Sequence, residues 1–137
     1  MSEIDDFLNR PFLARIATAN PATLQPHVVP VWYAWDGASL WIHTFRATRK
    51  VRDLLKNPRL AVVVDSTEPF AGLTGVLLEG QAEFIDSPPE LVEEKANWIY
   101  VRYLGEEGSK APEPQSWIHD PQSTLLRLTP TWIKSWK

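Results

Sequence analysis

Leu40-Trp41-Ile42-His43-Thr44, followed at once by Phe45-Arg46-Ala47-Thr48-Arg49-Lys50-Val51-Arg52, changes from a strand pattern to a short amphipathic helix running from Val51 to Lys56. Strand-forming aromatics and β-branched residues stop at Thr44, and Asn57-Pro58 supplies the helix stop, because proline disfavours helical geometry in the residue before it. A helix N-terminus presents unpaired N–H groups and the positive end of the helix dipole, so it favours an anion. Here the opening turn carries Arg49, Lys50 and Arg52 instead of carboxylates. Cations placed against the dipole need an external partner, and a phosphate would supply one.

Strand patterns continue on both sides of this segment. Phe12 to Ala19 reads as a strand, Asn20-Pro21-Ala22 as a turn, and His27 to Trp35 as a second strand rich in valine and aromatics. Asp36-Gly37 is a hairpin signal leading into Leu40 to Thr44. Beyond the basic helix, Leu60 to Asp65 and Gly75 to Ile85 are further strands, and Leu125 to Trp136 is a last one interrupted by Pro130. Ile4 to Asn9 reads as a brief helix with Ser2 as N-cap. Ser87, with Glu90 three residues on, reads as the start of a helix ending near Leu104-Gly105. Gly105 to Gln122 reads as a long polar loop. Six strands with hairpin signals and two sizeable helices suggest an antiparallel barrel.

Composition narrows the function classes. The 137 residues suit one domain, 1–137, with a real core. There is no apolar run near the ~20 residues that span a membrane, and no signal-peptide pattern. The absence of cysteine removes thiol nucleophiles and thiolate metal sites, and fits a cytoplasmic protein. A net charge of −3 argues against a general nucleic-acid binder. The cations are local instead: Arg46, Arg49, Lys50, Arg52 and Lys56 lie within eleven residues. His27, His43 and His119 show no metal-ligand spacing, so no metal site is expected. Ser87 and Ser116 have no nucleophile-elbow context. His43 stands at a strand end, where its ring could bond a ligand or serve the structure equally well. On alternation Trp32 and Trp35 face opposite ways, and Trp117, in the expected loop, is a candidate cap for a substrate cleft.

The order Phe12-Leu13-Ala14-Arg15-Ile16-Ala17-Thr18, Pro26-His27-Val28-Val29-Pro30-Val31-Trp32, Trp35-Asp36-Gly37, Leu40-Trp41-Ile42-His43-Thr44, Thr48-Arg49-Lys50, Asn57-Pro58-Arg59-Leu60 and Glu79-Gly80-Gln81-Ala82-Glu83 resembles the pyridoxamine 5′-phosphate oxidase-like family. The resemblance runs from about Phe12 to Trp136. It implies a mainly β fold, a six-stranded antiparallel split β-barrel of the FMN-binding type, forming a homodimer with cofactor sites at the subunit interface. It places His43, Thr44, Thr48, Arg49 and Lys50 at the flavin phosphate and ribityl chain, and the backbone of Val29, Pro30 and Val31 along the ring. Trp136 stands where the oxidases set a tryptophan against the other subunit's flavin.

The chain departs from the oxidases in two places. It stops at Lys137, where they continue into a substrate-binding segment, and it has Val29 where they carry a phosphate-gripping arginine. Those departures point away from vitamin B6 oxidation and toward small members using FMN or deazaflavin F420. The implied activity is a flavin-dependent oxidoreductase transferring hydride to or from a small molecule, with no protein acid or base assigned. The rival readings are a non-catalytic flavin- or haem-binding carrier or stress protein, and a nucleic-acid-binding barrel.

Overall fold

The structure, a computed structural model, describes residues 2–137. Its described strands are β1 (Ala14–Ala19), β2 (Pro26–Val31), β3 (Ala34–Trp35), β4 (Leu40–Phe45), β5 (Arg59–Phe70), β6 (Leu73–Ile85), β7 (Ser123–Leu128) and β8 (Trp132–Trp136). The helices are α1 (Glu3–Leu8), α2 (Arg49–Lys56), α3 (Pro89–Ser109) and α4 (Pro112–Ile118). The strands form one antiparallel sheet in the order β2-β1-β5-β6-β7-β4-β3, with β8 also on β6.

The expected six-stranded antiparallel split β-barrel is not formed. Eight strands make an open sheet within a mixed α/β fold, and β2 and β3, at the two ends of the path, have one strand partner each. Closure needs a ladder between the end strands. Instead β2 and β3 are successive parts of the run read as one strand, His27 to Trp35, broken at Trp32-Tyr33. At that break the backbone groups bond to α3 side chains: Arg102 Nε donates to the Tyr33 carbonyl at 2.9 Å, and Tyr33 N–H donates to the Tyr103 hydroxyl at 3.3 Å.

β6 is the long strand on which the sheet turns. Its first part pairs with β5 on one edge and β8 on the other, and its last part, Ala82 to Ile85, pairs with β7. The final chain run thus lies along β6 twice, broken where Pro130 was expected to interrupt it, and Thr131 N–H donates to Glu79 O at 2.9 Å across the break. β5 and β6 are longer than their apolar runs suggested. A two-residue turn joins them, Ala71 and Gly72, both at positive φ as a tight hairpin requires.

One core gathers residues from both halves of the curved sheet: Ile16, Val62, Val76 and Leu78 from one, Leu40, Ile42, Leu126 and Leu128 from the other, with Phe7 and Leu8 of α1. α1 begins as read, with Ser2 accepting from Asp5 N–H in a capping box. α3 presents Val92, Ala96, Ile99 and Tyr100 at helical spacing to the sheet and to α4. Two readings of this region are corrected. Ser87 does not cap α3, whose N-cap is Pro88. The segment from Gly105 to Gln122 is also no loop: Gly105, at φ 77, bends α3, which runs on to Ser109, and α4 follows. Prolines at the start of α4 read as loop punctuation, but the first helical turn accepts them because its N–H groups need no helical partner.

Candidate cofactor site

β4 delivers His43 and Thr44 to the sheet end, and a three-residue turn then starts α2 at Arg49. Thr48 is the N-cap, yet its hydroxyl does not cap: it donates backward to the Phe45 carbonyl at 2.8 Å. Arg52 N–H is the first of the turn to bond, donating to Thr48 O at 3.0 Å. The N–H groups of Arg49, Lys50 and Val51 have no partner among the described residues. They converge on the helix end where the dipole favours an anion.

The cations at this end divide into committed and open ones. Arg46 is ion-paired with Asp86, which also accepts from Thr124 Oγ1. Arg49 is half exposed, with its Nε 3.9 Å from Asp53 Oδ2. Lys50 is half buried, has no acidic partner among the described residues, and burial lowers its pKa from the usual lysine value. A desolvated ammonium without an anion is costly. Arg52 and Lys56 are exposed. Thr44 is buried at 3% exposure, paired across the ladder with Thr124.

His43 is held on both sides. Its Nδ1 meets the Tyr100 hydroxyl and its Nε2 the Ser123 hydroxyl, each at 2.6 Å. Burial depresses its pKa from 6.5 to about 4, so the ring is neutral at pH 7. With both nitrogens bonded inside the chain, this ring braces the end of β4 against α3 and β7. Nothing local in the sequence pointed to Tyr100, 57 residues away.

Val29 and Val31 turn their side chains onto the core, leaving Pro30 on the outer face of the edge strand. Proline suits an edge, where a missing ladder donor is tolerated. Trp136 sits opposite Gly75 on the outer face, 37% exposed, and its ring occupies the space a Cβ at Gly75 would need: such an atom would lie 2.1 Å from the ring. The same face carries Ala17, Val28, Ala61, Leu77 and Trp132 by register. A groove of about 700 Å³ runs over it, with Ala17, Ala61, Glu79 and Thr131 among its lining residues.

The other tryptophans are structural. Trp35 and Trp41 are buried, their indole N–H groups donating to Asp5 and Asp36. Trp32 stacks on Tyr103 and joins a different cluster from Trp35, as alternation required. Trp117 packs 5.5 Å from the Tyr100 ring on α4, so its place against α3 needs no cleft-capping role. Among the described residues no three His, Cys, Asp or Glu are grouped as metal ligands, and no helix is long and apolar enough to cross a membrane.

The sequence model described as pyridoxamine 5′-phosphate oxidase matches residues 1–137, and the chain belongs to that family. Among solved structures it is similar to the conserved hypothetical protein Rv2991 from Mycobacterium tuberculosis, with 27% identity and a TM-score of 0.80, over 100% of this chain and 85% of that one. A protein titled F420 reductase shares the fold at 23% identity and a TM-score of 0.74, over 95% and 94% of the two chains. HutZ, a haem storage protein from Vibrio cholerae, shares it at 16% identity and a TM-score of 0.75, over 97% and 92%. A search of curated proteins finds no match. Membership of this family points to binding of a flavin or a related cofactor.

Proposed function

We infer that this protein is a flavin-dependent oxidoreductase that binds FMN, or alternatively F420, with the cofactor phosphate at the N-terminus of α2. The observation that carries the reading is the open helix end: three N–H donors and a half-buried Lys50 without partners among the described residues, and the half-exposed Arg49. These groups fit a phosphate by chemistry and by count. Arg49 supplies a planar fork and Lys50 a point charge; the Thr48 hydroxyl would have to release the Phe45 carbonyl, and buried Thr44 would have to be uncovered, to reach the tail. Val29, Pro30 and Val31 lie on an edge strand laddered to β1 on one side only, so the backbone groups directed to its open side are available to a planar ring. When bound, the cofactor supplies hydride transfer to or from a small molecule, and the protein's part is to bind, orient and exclude water.

The site is completed in this reading by a second copy of the chain. The outer face of β2, β1, β5, β6 and β8 exposes Val28, Trp132 and Trp136 beside small residues and the Arg15–Asp65 ion pair, a partly apolar surface suited to self-association. A homodimer through that face would bring Trp136 of the partner subunit toward the ring. Val29 in place of an arginine leaves the phosphate to Arg49, Lys50 and backbone donors.

Titration of the protein with FMN and with F420, followed by tryptophan quenching, tests the binding. Saturable quenching by one of them is expected, and none by either overturns the reading. Steady-state reduction of an acceptor by the reduced holoprotein separates an oxidoreductase from a non-catalytic carrier, which would reoxidise only stoichiometrically.

A further inference from the structure

We propose that Asp53 is a positioning residue that draws Arg49 by charge, closest at its Nε, so that the two terminal guanidinium nitrogens are presented to a phosphate at the α2 N-terminus. This rests on the phosphate reading of that helix end and adds a residue that neither the motif nor the family resemblance assigned. Asp53 sits one turn beyond Arg49 on α2 and is only 6% exposed, an unusual place for a carboxylate. Its Oδ2 is buried and accepts no hydrogen bond. Its Oδ1 meets the Asn20 side-chain amide at 3.5 Å, at the limit of a hydrogen bond. Asn20 is itself fixed, since its Oδ1 accepts from Ala22 and Thr23 N–H in the turn after β1.

A buried carboxylate oxygen with no donor costs free energy unless a cation faces it, and among the described residues only Arg49 lies within ion-pair distance. The nearest approach is at Nε, 3.9 Å from Oδ2, an ion pair with no hydrogen bond. The terminal nitrogens of Arg49 make no bond with any described residue, its one ion pair being nearest at Nε. An arginine drawn by charge on its Nε side, with its fork unbonded to any described residue, is arranged for bidentate contact with phosphate oxygens. The carboxylate thus restricts the rotamers of a long side chain before the ligand arrives, which lowers the ordering cost of binding.

The experiment compares FMN with riboflavin, which lacks the phosphate, on wild type, Asp53→Asn, Arg49→Lys and the double variant, using tryptophan quenching. Asp53→Asn should weaken FMN binding about tenfold and leave riboflavin unchanged, with little further loss once Arg49 is lysine. Equal weakening of both ligands, no weakening of FMN, or additive losses in the double variant would overturn the positioning role. A wild type that binds both ligands equally would overturn the phosphate reading itself, and this inference with it. Should Asp53→Asn not fold, the wild-type Arg49 Nε–H signal in NMR decides. It should be protected from exchange in the FMN complex, and an unprotected signal rejects the contact.

Discussion

Two of the short helices, α1 and α2, end differently. α1 is finished from within at both ends. Ser2 and Asp5 form a capping box at its start, and at its end Arg102 donates to the carbonyls of Asn9 and Arg10 at 3.1 Å while its Nε takes Tyr33 O. The same guanidinium lies over the rings of Tyr33 and Tyr103. α2 has a threonine in its capping position and leaves the cap unmade. A folding chain satisfies buried polar groups wherever it can. α3 and α4 also lack a side-chain cap, so it is the half-buried Lys50 beside the open end of α2 that supports the phosphate proposed there.

The contrast breaks most visibly at Arg102. Replacing it with alanine removes its bonds to the Asn9, Arg10 and Tyr33 carbonyls, of which Arg10 O keeps the Phe12 N–H and the Tyr33 hydroxyl, and should cost about 3 kcal/mol of stability. Urea unfolding measures this, and the folded fraction should keep its FMN affinity. Gly75→Ala comes next. Its Cβ has to displace the Trp136 ring, at roughly 1–2 kcal/mol, and Trp136→Ala in the same chain should remove most of that penalty. By contrast, Lys50→Ala at the open end should leave stability within about 0.5 kcal/mol, or raise it, since an unpaired desolvated charge is removed.

A smaller effect comes from His43. Its folded pKa lies below its ordinary value because the neutral ring is buried, so the unfolded chain binds more protons between pH 6.5 and about 4. Stability from this group is therefore complete above pH 6.5 and declines as pH falls toward 4. A His43→Gln variant should show a shallower loss over that window in pH-dependent thermal melts. An unchanged slope would mean the ring titrates normally.

Local signals in the sequence carried much of this arrangement. Ser2 with Asp5, the Asp36-Gly37 turn, the Asn57-Pro58 stop and the Pro130 break all lie where their backbone chemistry put them. The features that were not legible depend on distant partners. The split of β2 from β3 is set by Arg102 and Tyr103, about 70 residues on, and the open sheet follows from that split. α4 hid behind prolines that its first turn tolerates. At the site, the sequence placed Arg49 and Lys50 in the first turn of a helix. It gave no sign that Arg46 is occupied by Asp86, that both His43 nitrogens are bonded, or that a buried Asp53 faces Arg49.

The central claim is that the open end of α2 grips a cofactor phosphate. The most direct measurement is the dissociation constant of each cofactor against its phosphate-free core, FMN against riboflavin and F420 against the bare deazaflavin, in wild type and in the Arg49→Ala/Lys50→Ala variant. The account predicts that wild type prefers one phosphate-bearing form by ~100-fold and that the double variant loses that preference while binding the core unchanged. Equal affinity for a cofactor and its core in the wild type, or a preference that survives loss of both cations, would contradict it.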